Sequence, residues 1–164
     1  MPAPTIRLAE VADAEAIRAI YNLEVTTATS TFDLVPRTLA QQRAWLEARS
    51  GAFSAVVATD GEEVVGFAAL SPYKERPAYR TTVEDSIYVA RHRGGEGIGR
   101  LLMTHVLDVA RTSGFHAVMA RIEASGTASR ALHAACGFEL VGIERQVGRK
   151  FNRWLDVAVM QLLL

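Results

Sequence analysis

Residues 83–102, VEDSIYVARHRGGEGIGRLL, decide the fold of this chain. The segment begins with alternating residues and β-branched side chains, which favours a β-strand. A glycine-rich loop at 94–99 follows. A predicted buried stripe then recurs at helical spacing, at Ile98, Leu101, Leu102, His105, Val106 and Val109. Because glycines leave no Cβ in the way, such a unit presents backbone N–H groups and a positive helix end to an anion. We therefore predict a phosphate-binding loop.

The spacing of the glycines excludes two common anion-binding loops. A P-loop needs Lys and Ser or Thr after its last glycine, whereas Gly99 is followed by Arg100 and Leu101. A dinucleotide-binding loop needs G-x-G-x-x-G, and neither Gly95 nor Gly97 begins such a pattern. What remains is G-x-G at the start of a helix. An ordinary tight turn between strand and helix stays open as the alternative.

Composition restricts the class of protein. The 164 residues carry 18 basic and 18 acidic side chains and are 49% apolar, which predicts a single domain over residues 1–164 with a sizeable core. Zero formal charge argues against nucleic acid or an anionic membrane as partner. The chain shows no long apolar run, no signal-peptide pattern and no zinc-type Cys/His spacing, so we expect neither a membrane span nor a metal. A single cysteine, Cys136, fits a reducing cytoplasm.

The order of predicted elements is β-α-α-β-β-β-α-β-α-β-β, which is typical of a mixed α/β sheet. Asp13 caps the first helix, and Thr38 with Gln41 has the form of a capping box for the second. The Thr-rich stretch 22–36 is predicted to be a loop with solvated threonines. Predicted strands lie at 5–8, 54–59, 63–70, 83–89, 116–122, 139–147 and 154–163.

Several blocks in this order resemble a known family. They are Ile20-Tyr21-Asn22, Pro72-Tyr73-Lys74-Glu75-Arg76, Ala78-Tyr79-Arg80, Val83-Glu84-Asp85-Ser86-Ile87-Tyr88-Val89, Ile122-Glu123, Leu132-His133, Gly137-Phe138 and residues 146–156. With the G-x-G loop, the chain resembles the GNAT acetyltransferases of the phosphinothricin and methionine-sulfoximine type. The resemblance implies the GNAT fold, a mixed and mostly antiparallel seven-stranded sheet with about four helices. It also implies acetyl-CoA as donor, a small amino-acid-like acceptor and a homodimer.

The resemblance also assigns residues to the cofactor and the chemistry. It places acetyl-CoA against Ile87, Tyr88, Val89, Arg93, Gly94, Gly95, Glu96, Gly97, Ile98, Gly99, Arg100 and Ser129. Amide formation needs a base for the amine, a donor for the oxyanion and a proton for the thiolate. Glu84 is the expected base and the Val89 N–H the oxyanion donor, freed where the strand leaves its neighbour after Tyr88. His133 is expected to protonate the thiolate. From spacing alone, Glu84 reads as a solvated strand carboxylate and His133 as a packed helix histidine.

The acceptor's carboxylate calls for basic side chains. Lys74, Arg76 and Arg80 cluster just before Glu84, and an arginine fork is suited to a carboxylate. A solvated charged face is the alternative for this cluster. The expected substrate-binding set is Phe32, Lys74, Arg76, Tyr79, Arg80 and Ser86.

Three positions depart from the family pattern. Gly94 stands where Gln or Arg is usual, Gly126 where relatives carry Asn, and Asp85 where the sulfoximine-preferring relatives have His. Two alternative functions therefore stay open. One is acetylation of another small amine or a peptide N-terminus, and the other is a non-catalytic acyl-CoA-binding module.

Overall fold

A computed structural model describes residues 3–164, which form one seven-stranded sheet with helices on both faces. The strands are β1 (Thr5–Leu8), β2 (Val56–Asp60), β3 (Glu63–Pro72), β4 (Thr82–Val89), β5 (Ala117–Glu123), β6 (Glu139–Lys150) and β7 (Arg153–Leu163). The α-helices are α1 (Ala14–Thr27), α2 (Leu39–Glu47), α3 (Ile98–Thr112) and α4 (Thr127–Ala135). The order across the sheet is β1-β2-β3-β4-β5-β7-β6, and only β4 and β5 pair in parallel. The predicted architecture and element order are confirmed.

The parallel ladder between β4 and β5 is short. It joins Thr82 to Ala117, Val83 to Val118 and Glu84 to Met119, and it ends there. On its other edge β4 stays paired to β3 as far as Val89. The predicted point of separation between β4 and its neighbour, after Tyr88, is therefore wrong. Pairing with β5 ends four residues earlier, at Glu84, so the gap between the two strands is longer than expected.

The two faces of the sheet carry separate clusters of apolar side chains. Val83, Val118 and helix α3 belong to the larger cluster. Phe67 and helix α1 belong to the smaller one on the opposite face. Because side chains alternate along a strand, β4 directs its odd-numbered residues toward α3 and its even-numbered residues toward α1.

Helix α3 buries a face slightly rotated from the predicted one. Its buried residues are Ile98, Leu102, Met103, Val106, Leu107 and Ala110. Leu101 is 37% exposed, and His105 is only partly buried rather than part of the core. The predicted stripe assigned Leu101 and His105 to the core, but both lie at the edge of the buried face. Met103 and Leu107 are buried instead.

Helix α1 runs further than the sequence indicates. It reaches Thr27, although residues 22–36 are predicted to be a loop. Tyr21 and Val25 are buried against Phe67 in the smaller cluster, and this packing outweighs the low helix propensity of Thr and Val. Thr31, predicted to be solvated, is buried, and its hydroxyl lies 2.9 Å from the Tyr21 hydroxyl.

Close contact between α3 and β3 depends on Gly66. A Cβ at this position would lie 3.0 Å from the Leu102 side chain and 3.0 Å from the Tyr88 carbonyl oxygen. We expect Gly66→Ala to lower the free energy of unfolding by about 1–3 kcal/mol, because overpacking displaces neighbouring groups. Gly142→Ala is the matched control, since its Cβ would meet no atom within 4 Å. Thermal or urea unfolding of both variants tests the prediction, and equal losses would contradict it.

Candidate active site

A cavity of about 870 Å³ occupies the gap between β4 and β5. Its walls come from both strands, the glycine loop, helix α4 and the loop after α1. Of the predicted site residues, those lining it are Phe32, Glu84, Ser86, Ile87, Tyr88, Val89, Arg93, Gly94, Gly95, Gly97, Ile98, Gly99, Ser129 and His133. The cavity connects the two faces of the sheet, because Glu84 and Asp85, which point to opposite faces, both line it.

The glycine loop leaves main-chain donors uncovered at one end of the cavity. Gly95 and Gly97 adopt left-handed conformations, with φ of 80° and 81°. Gly97 is the N-cap of α3 and offers no side-chain cap, so the first N–H groups of the helix are available to an anion. A Cβ at Gly99 would lie 3.1 Å from Leu132, so this glycine allows α3 to approach α4.

Arg93, just before the glycine loop, binds three carboxylates. Arg93 donates to Glu96 over 2.6 Å, to Asp60 over 2.9 Å and to Glu63 over 3.4 Å. Arg93 therefore offsets the charge of Glu96, the one carboxylate within the glycine loop. Glu96 and Arg100 are exposed and lie outside the cavity lining, so their assignment to the cofactor stays a prediction.

The register of β4 sets the direction of the Val89 N–H. The next residue, Ala90, donates its N–H to Val65 of β3 over 2.8 Å. Main-chain N–H groups of successive strand residues point to opposite edges, so the Val89 N–H points toward β5. Since the ladder with β5 has ended at Glu84, this donor faces the gap. It is positioned to polarise a carbonyl oxygen held there.

Glu84 lies at the point where the β4–β5 ladder ends. It is half-buried and points to the α1 face, together with Ser86. Burial raises the pKa of the Glu84 carboxyl, the neighbouring Asp85 raises it further, and the positive charge of Arg121 opposes the increase. A carboxyl group with a raised pKa is suited to accept a proton near neutral pH.

His133 and Asp85 form a buried pair on the opposite side of the cavity. The His133 Nε2 lies 2.8 Å from Asp85 Oδ2, and Nδ1 lies 2.7 Å from the Ser129 carbonyl oxygen. The two side chains are 5% and 2% exposed. A carbonyl oxygen only accepts, so Nδ1 carries a hydrogen, and the Nε2–Oδ2 contact needs a second proton. Burial lowers the pKa of His133, but the hydrogen bond and charge of Asp85 outweigh it and raise that pKa.

The loop after α1 forms the outer wall on the α1 face. Phe32 lines the cavity and rests on Gly148 of β6, where a Cβ would lie 2.3 Å from the aromatic ring. Lys150 is buried and donates from Nζ to the Thr31 carbonyl oxygen over 2.8 Å. Tyr21 contacts Thr31 and Asp33. The C-terminal hairpin therefore holds this loop in place.

The predicted basic cluster lies elsewhere. Lys74, Arg76, Tyr79 and Arg80 are exposed on the connection between β3 and β4 and do not line the cavity. Their substrate-binding role stays a prediction. On the α1 face the cavity is lined by Arg121 of β5, which the sequence analysis does not single out. Its signal in the sequence is a charged side chain within the otherwise apolar stretch 117–122.

Metal-ligand clusters and membrane-spanning helices are both absent from the described residues. Within residues 3–164, no group of three His, Cys, Asp or Glu side chains is arranged to hold a metal ion. None of the helices described is both long enough and apolar enough to cross a membrane.

Comparison with known proteins agrees with this geometry. The model of the acetyltransferase (GNAT) domain family matches residues 6–159. The L-methionine sulfoximine/L-methionine sulfone acetyltransferase of Pseudomonas paraeruginosa is 41% identical over 98% of this chain and 94% of its own length. The phosphinothricin N-acetyltransferase of Streptomyces coelicolor is 42% identical over 89% of this chain and 88% of its own.

A solved structure extends the similarity to the backbone. The GNAT superfamily phosphinothricin acetyltransferase of Sinorhizobium meliloti, in complex with acetyl-CoA, has a TM-score of 0.95 and 36% identity. The match covers 99% of this chain and 89% of that one. With the family model spanning nearly all of the sheet and two relatives above 40% identity, this chain belongs to the GNAT acetyltransferase family.

Proposed function

We propose that this protein transfers the acetyl group of acetyl-CoA to the amino group of a small amino-acid analogue. Methionine sulfoximine, methionine sulfone and phosphinothricin are the proposed acceptors, since relatives of this length and identity bear those names. Resistance to such compounds is the proposed biological role. The observation that carries the proposal is the half-buried Glu84 at the start of the gap that the Val89 N–H faces.

The residues of the glycine loop fit the diphosphate of CoA. A Cβ at Gly95 or Gly97 would meet no atom within 4 Å, so the backbone here is open to a ligand. Main-chain N–H groups at 95–99 would hold the diphosphate, and Ile87, Val89 and Ser129 would line the path of the pantetheine. When bound, acetyl-CoA supplies an activated thioester. The missing side chain at Gly94 removes one contact and leaves every backbone donor in place.

The protein's own groups divide the chemistry between the two faces of the sheet. On the α1 face, the Glu84 carboxylate accepts a proton from the acceptor's ammonium group, directly or through a water. In the gap, the Val89 N–H donates a hydrogen bond to the thioester oxygen as negative charge develops there. On the α3 face, the proton held between His133 Nε2 and Asp85 Oδ2 goes to the thiolate that leaves as the C–N bond forms and the C–S bond breaks. The second proton that the nitrogen loses restores this pair through solvent.

A polyamine is the second acceptor class to consider, because four carboxylates line the cavity. Three of them already have partners. Glu24 pairs with Arg91 at 2.9 Å, Asp85 with His133, and Glu123 accepts hydrogen bonds from Ser125. Among these four carboxylates, Glu84 is the one without an ion-pair or hydrogen-bond partner in the described residues, which favours an acceptor with a single amine over a polycation. Spermidine therefore belongs in the substrate panel.

A homodimer and a cytoplasmic location are also proposed. The surface available to a second copy is the apolar side of the β6–β7 hairpin, where the exposed side chains include Leu140, Val141, Ile143, Val147, Phe151 and Trp154. Strand β6 is an edge of the sheet, and edges of this kind are usually covered. A single cysteine fits a reducing compartment.

Glu84→Gln is the direct test of the proposed base. We expect kcat with the best acceptor to fall about 10²-fold or more, because general-base catalysis contributes factors of this size. The measurement is thiol release with acetyl-CoA and a panel of methionine sulfoximine, methionine sulfone, phosphinothricin, ordinary amino acids and spermidine. Binding of acetyl-CoA by calorimetry should be unchanged.

Glu139→Gln, on an exposed part of β6, is the matched carboxylate control and should retain full activity. Tight binding of acetyl-CoA without thiol release from any acceptor, in the parent as in the variant, would contradict the enzyme and favour a binding module. Selective acetylation of spermidine would favour the polyamine alternative.

The raised pKa of Glu84 also makes a prediction about stability. The folded state holds the Glu84 proton to a higher pH than the unfolded chain does, so ionisation of this group opposes folding as pH rises. Glu84→Gln should therefore have a higher Tm than the parent at pH 7. The two should converge near pH 4, where unfolded glutamate is about half protonated. Thermal unfolding from pH 4 to 8 measures the difference, and a gap independent of pH would refute this assignment.

Asp85→Asn tests the proton held by the buried pair. Without the carboxylate, the His133 imidazolium loses its counter-charge, so the pKa of His133 should fall and kcat should drop about 10- to 100-fold. Titration of the histidine ring resonances by NMR measures the first effect and steady-state kinetics the second. Asp108→Asn, on the exposed face of α3, should change neither. A normal kcat together with a clearly lowered pKa of His133 would show that the Asp85–His133 pair has no role in catalysis.

A further inference from the structure

We propose that Arg121 holds the α-carboxylate of the acceptor beside Glu84, and so selects amino acids over simple amines. This inference rests on the proposed function and deepens it. The sequence points to Arg76 and Arg80 for this role, but neither lines the cavity. A carboxylate-binding residue must lie near the base, because the amino and carboxyl groups of an α-amino acid are attached to the same carbon.

The position of Arg121 meets that requirement. Glu84 pairs with Met119, and Arg121 lies two residues further along β5, roughly 6–7 Å away along the strand. Residues two apart share a face, so Arg121 points to the α1 face, as Glu84 does. Position 121 also lies beyond the last β4–β5 pair, on the side of the gap opposite Ser86. Its positive charge acts on the Glu84 carboxyl across this space.

The Arg121 guanidinium has hydrogen-bond donors left for a second partner. In the described part of the chain it donates one hydrogen bond, from Nη2 to Glu144 Oε1 over 2.6 Å. Nε and Nη1 are left for a ligand, and an arginine binds carboxylates through two such donors. Both members of the Arg121–Glu144 pair are 40% exposed. An ion pair so exposed contributes little to stability, so the fold does not require an arginine at this position.

Within one chain, the other basic side chains lie away from Glu84 or are already bound. Among the arginines and lysines of residues 3–164, only Arg93 and Arg121 line the cavity. Arg93 lies by the glycine loop and is bound by three carboxylates. An anionic acceptor entering a cavity that contains Glu84 needs a nearby cation to offset the repulsion. Arg121 is the residue that supplies it.

The test compares each acceptor amino acid with its carboxamide, which keeps the amine and the side chain but lacks the carboxylate charge. Arg121→Gln should lower kcat/KM for the amino acid about 10- to 100-fold, mainly through a higher KM, as expected for loss of a charged hydrogen bond. The value for the amide should change less than about threefold, and the KM of acetyl-CoA should stay constant. Arg121→Lys should recover part of the loss, since it restores the charge without the fork.

Arg145 is an exposed arginine of β6 that does not line the cavity, so Arg145→Gln is the matched control. It should leave kcat/KM for the acid and for the amide unchanged. An unchanged ratio of acid to amide in Arg121→Gln would overturn the role of Arg121 while leaving the proposed function intact. A parent enzyme that binds acetyl-CoA but acetylates no member of the panel would overturn the proposed function, and this inference with it. The two failures are therefore distinguishable.

Discussion

The early end of the β4–β5 ladder is the constraint on which this structure depends. Parallel strands normally continue pairing, because an unpaired main-chain donor in a buried site is costly. Here only three residue pairs form, and β4 then runs on with one edge open as far as Val89. The N–H groups of Ile87 and Val89 point to that open edge. The fold thus leaves hydrogen-bonding capacity in the middle of the sheet, where a ligand can satisfy it.

The same strand separates two adjacent carboxylates. Glu84 and Asp85 are consecutive, yet strand alternation sends them to opposite faces. Asp85 is buried and paired with His133, whereas Glu84 is half-buried and lines the cavity without such a partner. One environment stabilises a shared proton, and the other raises the pKa of a carboxyl group that stays open to the cavity. A base and an acid can therefore work within one site without neutralising each other.

Much of the fold was accessible from the sequence, because the signals were local. The glycine loop, the capping box at Thr38 and the order of elements need only neighbouring residues, and all three appear as predicted. The extension of α1 was missed because burial of Val25 overrides propensity. In the site, the glycine loop is predicted from its own pattern, whereas the assignment of Glu84 and His133 comes from the resemblance. Arg121 and the Asp85–His133 pair were not found, since they depend on the register of two strands and a distance of 48 residues along the chain.

On the proposed assignment, the two sides of the cavity present different groups to their ligands, and Gly94 and Gly126 both lie on the donor side. The donor side presents main-chain N–H groups, which do not change when a side chain does, so Gly94 loses little. Gly126 also fits, since a Cβ there would lie 3.0 Å from the Glu123 carbonyl oxygen. The proposed acceptor side is made of side chains, from Phe32, Ser86 and Arg121. If donor and acceptor bind as proposed, substitutions on that side change the choice of acceptor and leave the main-chain groups for the donor in place.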